Sequence, residues 1–226
     1  MIEVNKKIRT GTPEEIKQIA ELRGLDPEDI LLAQEAGYIR FAEFAKKSAW
    51  LMRSLDDSVH EYRRLDGQSW EAFNQLPERK VHSRGTKKYP IGLNEVGKKE
   101  YVAILEGSTD LLAFYHFARI EEKLDQVAPV AILGASNGLP IETNGILADK
   151  NVVIYADLDK AGLKAAIDWY RQIERYAKRV DLFNVQKPLL NANLHADAKG
   201  VKDLSDLARI DHLLYGENHK LEVFPW

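Results

Sequence analysis

The second half of the chain alternates short, continuously apolar segments with stretches of helical length. The apolar segments are 101–105, 130–133, 152–156 and 180–185, and the helical stretches between them are 109–124, 139–148 and 160–178. Apolar strands separated by helices are typical of a parallel sheet covered on both faces. We therefore predict an α/β fold here. In such sheets the functional residues lie just beyond the carboxyl ends of the strands.

Acidic and small residues follow three of these apolar segments directly. Glu106 follows the first segment, the small residues of 134–138 follow the second, and Asp157 and Asp159 follow the third. Asp157 and Asp159 are two residues apart in an extended segment, so both can face one cation. Because Glu106 follows a neighbouring strand, we expect it to lie within reach of the same site.

These residue types indicate a magnesium site. Carboxylate oxygens are the hard ligands that Mg²⁺ prefers, and Glu106 could either ligate a metal or move a proton. Each acid alone has a plainer explanation, since Asp110 suits the dipole at a helix start and Asp203 suits a helix cap. The ordered set at the strand ends predicts a metal site more strongly than any single member.

The first 37 residues predict two short helices. Thr12 and Glu15 form a capping box ahead of the first helix, and Asp26 precedes a second helix that ends at Gly37. Two helices at a turn also fit a helix-turn-helix. The many acids of this pair favour a helical cap packed on the main body instead.

Residues 38–99 predict a small, twisted antiparallel region. Short aromatic and β-branched runs alternate with turn signals such as Asp66-Gly67. Its aromatic residues are more typical of a core than of a surface that stacks bases. They are Trp50, Tyr62, Trp70 and Phe73.

A basic segment precedes the α/β half. From Arg79 to Lys99 the chain carries seven basic residues and one acid, although the net charge of the whole chain is −3. A basic segment beside an acidic cluster suggests phosphate binding next to metal binding, and a solvated loop is the alternative.

Composition excludes several classes of protein. The chain has no cysteine, which rules out disulfides and thiolate zinc sites, including a zinc ribbon. No signal peptide and no apolar run of roughly 20 residues is evident, so we expect a cytoplasmic protein without a membrane partner.

The strand-end residues resemble the Toprim signature of bacterial primases, topoisomerases and certain nucleases. The matching stretches are Glu106-Gly107-Ser108-Thr109-Asp110 and Asp157-Leu158-Asp159-Lys160-Ala161-Gly162. The resemblance implies a Toprim domain with a Rossmann-like parallel sheet. It implies that Glu106 is the acid/base group and that the paired aspartates hold Mg²⁺, with Mn²⁺ as an alternative.

Further stretches resemble primases in particular. Residues 159–166 are similar to the primase stretch that runs into the next helix, and 202–206 resemble its later acidic motif. Residues 64–67, Lys80 and 87–93 resemble the primase basic subdomain that holds template and nucleotide. Cellular primases also carry an amino-terminal zinc ribbon, which this chain cannot build. The resemblance therefore suggests a minimal core such as phages and mobile elements carry, or a fragment of a longer protein.

The resulting hypothesis is a DNA primase-like nucleotidyltransferase that synthesises primers on single-stranded DNA from nucleoside triphosphates, with a replicative helicase as a further partner to test. Its predicted parts are a helical segment (1–37), a basic α+β subdomain (38–99) and a Toprim domain with a helical extension (100–226). The predicted metal ligands are Asp157, Asp159, Asp203 and Asp110, and the predicted nucleic-acid or nucleotide contacts are Arg64, Lys80, Lys87, Lys88 and Lys160.

Other functions remain open at this stage. A Toprim nuclease would use the same acids with water as the nucleophile, and a non-catalytic module would bind single strands without consuming nucleotide. A topoisomerase would need more domains than 226 residues hold. A response-regulator-like domain also places acids at strand ends, but the Glu106 motif and the basic segment disfavour it.

Overall fold

The computed structural model describes residues 8–54, 57–71, 78–85, 90–215 and 221–226. Within them the chain forms an α/β structure with two four-stranded sheets. The elements in chain order are α1 (Pro13–Arg23), α2 (Pro27–Glu35), β1 (Ile39–Phe44), β2 (Lys47–Arg53), β3 (Val59–Arg64), β4 (His82–Gly85), α3 (Leu93–Val96), β5 (Tyr101–Leu105), α4 (Ser108–Ile120), β6 (Val127–Ala131), α5 (Thr143–Ile146), β7 (Asn151–Tyr155), α6 (Lys160–Ile173), β8 (Arg179–Leu182), α7 (Lys187–Asn191), α8 (His195–Ala198) and α9 (Leu204–Tyr215).

The first sheet is antiparallel, with the strand order β1-β2-β3-β4. Trp50, Tyr62 and Trp70 are at most 2% exposed, so these aromatic residues are core residues, as expected. Trp50 lies in one hydrophobic cluster, and Tyr62 and Trp70 lie in another. The chain turns after β3 at Asp66 and Gly67, where Gly67 has a φ of 73°. Phe73 lies outside the described residues.

The second sheet is parallel, with the strand order β6-β5-β7-β8. Leu105, the last residue of β5, is level with Ala131 of β6 and Tyr155 of β7. The residues that follow these strands therefore lie at one edge of the sheet. Helices α4 and α6 pack against this sheet, so the predicted α/β architecture is present.

Some boundaries differ from the sequence-based ones. The second parallel strand is Val127–Ala131 rather than 130–133, because its Pro129 is tolerated at the edge of a sheet. The predicted helix 139–148 is a single turn, Thr143–Ile146, in a stretch interrupted by a proline and a glycine. Helix α6 ends at Ile173, five residues before the predicted end.

The two amino-terminal helices pack on the main body. Thr12 and Glu15 form the predicted capping box of α1, and Gly24 ends that helix in the left-handed conformation. Helix α2 lies against α4, with Ile30 and Ala33 fully buried in a core shared with that helix. This packing fits a helical cap. The division of the chain at 37/38 and 99/100 stays a prediction.

A buried ionic network joins three of the helices. His116 of α4 lies between Asp29 of α2 and Asp211 of α9, with nitrogen–oxygen distances of 2.9 and 3.3 Å. Arg119 also pairs with Asp29 and with Asp26, at 2.7 and 2.6 Å. His116, Asp29 and Asp211 are all fully buried.

None of the helices in the described part of the chain is long and apolar enough to cross a membrane.

Candidate metal and nucleic-acid site

Glu106 lies at the carboxyl edge of the parallel sheet, directly after β5. Its carboxylate accepts a hydrogen bond from the backbone N–H group of Asp157, at 3.3 Å. Its own carbonyl accepts from the N–H of Gly134, at 2.8 Å. Glu106 is therefore held between the loop after β6 and the end of β7, as the strand-end rule predicts.

Asp157 and Asp159 follow β7 on the same edge. The half-buried Asp157 is close enough to Glu106, Asp203 and Asp159 for their charges to act on it. Asp159 caps α6, and its Oδ1 accepts from the N–H groups of Ala161 and Gly162 at 2.8 and 2.9 Å. Both bonds go to one oxygen, which leaves Oδ2 for another partner.

Asp203 reaches this edge from the start of α9. The backbone N–H of Leu158 donates to the carbonyl of Lys202 at 2.8 Å, which ties the segment before α9 to the loop after β7. Asp203 Oδ1 accepts from the N–H of Asp206 at 2.7 Å. The structure thus brings together Glu106, Asp157, Asp159 and Asp203, which we call the acidic cluster.

Asp110 lies behind the acidic cluster and is only 4% exposed. Its Oδ2 accepts from the N–H of Gly107 at 2.9 Å, and its Oδ1 accepts from the N–H of Ser205 at 3.3 Å. Both oxygens are therefore engaged with backbone groups. This geometry favours a role in joining the β5–α4 turn to the start of α9 over direct metal ligation.

Burial and mutual repulsion raise the pKa values of these carboxyls. Burial, followed by the charges of Glu106, Asp203 and Asp159, raises the pKa of Asp157 to about 7. Burial is also the largest cause of the raised pKa values of Glu106, Asp110 and Asp203. Raised pKa values at several neighbouring carboxyls indicate negative charge that the surrounding protein does not compensate.

Gly162 lets α6 begin close against the acidic cluster. A Cβ atom at this position would lie 2.3 Å from the carbonyl oxygen of Asp157 and 2.8 Å from Oε2 of Glu106. Any larger residue would therefore displace one of these groups. The close approach of these groups therefore explains why the Asp157–Gly162 motif ends in a glycine.

The donor set of the acidic cluster fits a hard divalent cation. Its oxygen donors are carboxylates, Oδ2 of Asp159 accepts no hydrogen bond from the described residues, and the neighbouring acids raise the pKa of Asp157. The carboxylates of the acidic cluster are more widely spaced than a closed group of metal ligands. Among the described residues, such a closed group is formed by Asp26, Asp29 and His116, whose donor atoms all lie within 4.8 Å of one another. The acidic cluster is therefore more open than a closed triad. An open set suits Mg²⁺, which keeps several waters and takes few carboxylates.

The predicted basic contacts differ in their surroundings. Arg64 is 7% exposed, and its guanidinium donates to Asp66, to the carbonyl of Ser69 (3.1 Å) and to Gln68 (3.1 Å). Lys80 and Lys160 are exposed. Lys87 and Lys88 lie outside the described residues. Lys80 and Lys160 are therefore accessible to a polyanion, whereas the guanidinium of Arg64 is already engaged in hydrogen bonds.

Two arginines that the sequence did not single out lie close enough to the buried Asp110 for its charge to act on them. Arg23 ends α1 and Arg63 lies in β3, and both guanidinium groups lie over the ring of Trp50. A basic residue in the last turn of a helix is explained by the helix dipole. The sequence therefore carries no signal that would distinguish Arg23 from an ordinary helix-end residue.

The structure is similar to the crystal structure of the primase fragment of the bacteriophage T7 primase-helicase protein. The two share 16% sequence identity with a TM-score of 0.54, over 90% of this chain and 69% of that chain. At this identity the likeness shows a shared, primase-like fold. Neither a protein-family model nor a curated protein matches the sequence.

Two weaker likenesses have TM-scores below 0.5 and carry no argument about this chain. One is to a structure of the bacteriophage T7 lagging-strand DNA polymerase with primase domains bound to an RNA/DNA hybrid and dTTP, at 14% identity and a TM-score of 0.49, over 88% of this chain and 94% of that chain. The other is to a DNA primase domain from Pseudomonas aeruginosa, at 18% identity and a TM-score of 0.39, over 69% and 50%.

Proposed function

We propose that the chain is a DNA primase-like nucleotidyltransferase of the Toprim type, which synthesises short primers on single-stranded DNA with Mg²⁺ or Mn²⁺. The observation that carries this proposal is the acidic cluster itself. Four carboxylates from three separate segments converge at the carboxyl edge of a parallel sheet, in a fold shared with a phage primase fragment.

Each member of the acidic cluster has a distinct part in this proposal. Asp157, Asp159 and Asp203 are the residues that would hold the cation. A bound Mg²⁺ would supply charge neutralisation at the transferring phosphoryl group. Glu106 is either a further ligand or the group that takes the proton of the attacking hydroxyl. Its raised pKa brings it closer to neutral pH, where proton exchange is most effective.

Asp110 and the basic residues support the acidic cluster. We assign Asp110 to holding the β5–α4 turn against the start of α9, since both of its oxygens accept backbone hydrogen bonds. Lys80 and Lys160 are exposed and can contact the phosphates of template or nucleotide. The same role for Lys87 and Lys88 remains a prediction from the sequence.

The experiment is a primer-synthesis assay with single-stranded DNA, labelled nucleotides and Mg²⁺ or Mn²⁺. Asp157→Asn is the test variant. Asp168→Asn is the matched control, because Asp168 is an exposed acid of α6 that pairs with Lys164, at 2.9 Å. Labelled products from the wild type and Asp168→Asn, and none from Asp157→Asn, are expected.

Other outcomes separate the competing functions. Degradation of the DNA that depends on Asp157 would replace the proposal with a metal-dependent nuclease. Binding of single strands without synthesis or degradation, on several templates and with both metals, would replace it with a non-catalytic binding module. Full synthesis by Asp157→Asn would show that the site is assigned wrongly.

A further inference from the structure

Arg23 and Arg63 are two cations held side by side, and neither forms an ion pair with a carboxylate among the described residues. Their guanidinium carbons lie 5.4 and 5.7 Å from the ring centroid of Trp50, which is fully buried. The Nε atom of each is buried and has no hydrogen-bond partner among the described residues. Burial, followed by the charge of Arg63, lowers the pKa of Arg23 to about 10.

This arrangement differs from that of three other arginines in the described part of the chain. Arg9, Arg53 and Arg119 each lie within 2.7 Å of a carboxylate oxygen. Neither Arg23 nor Arg63 forms such an ion pair there. A partly buried guanidinium without an anion is costly, and two adjacent ones cost more. A bound anion would remove both penalties.

The two arginines line a small cavity between α1 and the antiparallel sheet. Its volume is about 110 Å³, which suits a compact oxyanion rather than a base or an apolar ligand. Arg64 also lines it, but its guanidinium is held by Asp66 and Gln68. The lining residues are Leu22, Arg23, Arg63, Arg64, Gly67, Gln68 and Lys80.

The cavity lies within electrostatic reach of the acidic cluster. The charges of Asp110 and Asp203 act on Arg23, and the charges of Glu61 and Asp110 act on Arg63. None of these three acids forms an ion pair with Arg23 or Arg63, so neither guanidinium group has a salt bridge within the described part of the chain. The residues that line the cavity do not include the proposed metal ligands, so a phosphate bound there would be separate from the metal site.

We propose that Arg23, Arg63 and Lys80 form a phosphate-binding pocket in which the amino-terminal helix α1 supplies one of the two guanidinium groups. Binding of the phosphate itself does not depend on the proposed nucleotidyl transfer; only its use in positioning a substrate rests on that function. The phosphate can belong to a nucleoside triphosphate or to a single strand, and both present the same oxygens to the two guanidinium forks.

The test measures stabilisation and binding without metal. The probes are inorganic phosphate, a nucleoside triphosphate and an oligothymidylate, each in the presence of a chelator. The variants are Arg23→Gln, Arg63→Gln and Arg23→Lys, with Arg179→Gln as the control for charge. Arg179 is exposed on β8 and pairs with Asp181.

Phosphate should raise the melting temperature of the wild type and of Arg179→Gln, but not of Arg23→Gln or Arg63→Gln. Each glutamine variant should also bind the triphosphate or the oligonucleotide about tenfold or more weakly, and the ligand that loses affinity identifies the source of the phosphate. Arg23→Lys should recover part of the affinity. Without ligand, the glutamine variants should melt no lower than the wild type, whereas a merely structural arginine would lower the melting temperature.

Equal stabilisation of wild type and glutamine variants by phosphate, with unchanged affinity for both larger ligands, would overturn the proposal. Asp157→Asn should retain the phosphate effect. A protein that binds phosphate through Arg23 and Arg63 but makes no primers would therefore disprove the nucleotidyl transfer alone. A protein that makes primers with unaltered affinity in both variants would disprove the pocket alone.

Discussion

At the residue scale, burial and charge act in the same direction on Asp157. Its carboxyl is half-buried and faces the charges of Glu106, Asp203 and Asp159, which together raise its pKa to about 7 from the ordinary 3.8. The folded protein therefore binds a proton more tightly here than the unfolded chain does. Without metal, this contribution lowers the stability of the fold as the pH rises from about 4 to about 7.

Asp157→Asn should raise the metal-free melting temperature at pH 8. The asparagine removes a charge that the fold opposes, and we expect a gain on the order of 1–2 kcal/mol, or a few degrees, after allowing for solvent screening. The gain should shrink at pH 4, where the wild-type carboxyl is protonated. Thermal denaturation in a chelator measures it, with Asp168→Asn unchanged as the control. A variant that melts below the wild type at pH 8 would contradict the repulsion.

Gly162→Ala should reduce both stability and activity. Its Cβ would press on the Asp157 carbonyl and on Glu106, so either α6 or the acidic cluster must move. We expect a loss of about 1–3 kcal/mol in the free energy of unfolding, as for other overpacked sites. Gly145→Ala is the control, since a Cβ there meets nothing within 4 Å. Denaturant unfolding measures the difference, and equal stability of the two variants would refute the close approach.

Single residues were predictable where they follow strands. Glu106, Asp157 and Asp159 lie together because the carboxyl ends of parallel strands share an edge. Asp203 comes from a later helix, and the resemblance to a known motif rather than its spacing suggested it. Arg23 was missed because its position depends on the packing of α1 against Trp50, which no local pattern encodes.

At the element scale, His116 connects three helices that are distant in sequence. Asp29 of α2 and Asp211 of α9 hold its ring from both sides. Their hydrogen bonds outweigh burial and raise the pKa of His116 to about 9. Asp26, Asp29 and His116 have the spacing of a metal site, but Arg119 already pairs with both aspartates. We therefore interpret the group as an ionic network between helices.

His116→Gln should destabilise the protein in a way that depends on pH. The folded pKa of about 9 exceeds the ordinary 6.5, so the stabilisation is complete below about pH 6.5 and is lost as the pH rises through about 9. The difference in pKa corresponds to roughly 3 kcal/mol. Urea unfolding at pH 6 and pH 9.5 should show a large deficit for the variant at the lower pH and a smaller one at the higher pH. His195→Gln is the control, because His195 is exposed; a deficit independent of pH would mean that His116 is not charged.

The elements themselves were predicted unevenly. Strands β5 and β7 were placed to within one residue because their apolar runs are continuous. Strand β6 was displaced because Pro129 interrupts its pattern, and an edge position is visible only in the folded sheet. The antiparallel region was predicted as alternating strands and turns, without the bounds of the individual strands. The pairing of β1 to β4 follows from contacts between distant segments.

At the scale of the whole molecule, one core connects the amino-terminal helices, the antiparallel sheet and one face of the parallel sheet. Helix α1 thereby places Arg23 near the acidic cluster, and β3 contributes Arg63 from another part of the chain. The net charge of the chain, −3, gives no indication that acidic and basic groups are segregated in this way. Anionic and cationic groups lie in separate places, as the proposed binding of both a cation and a phosphate requires.

Mg²⁺ should raise the melting temperature of the wild type. A cation that binds only the folded state stabilises it by about 2.7 kcal/mol at a concentration one hundred times the dissociation constant. Asp157→Asn should respond far less, although it melts higher than the wild type in a chelator. Thermal denaturation over a range of Mg²⁺ concentrations provides the measurement. Equal responses of the two proteins would place the cation elsewhere.

The most direct test of the central claim, that the acidic cluster is one divalent-cation site, is Mn²⁺ binding followed by electron paramagnetic resonance. We expect the wild type and Asp168→Asn to bind Mn²⁺ equally, Mg²⁺ to displace it, and Asp157→Asn to bind at least about tenfold more weakly, since a lost carboxylate ligand costs more than 1.4 kcal/mol. Binding of Mn²⁺ by Asp157→Asn with the affinity of the wild type would contradict the claim.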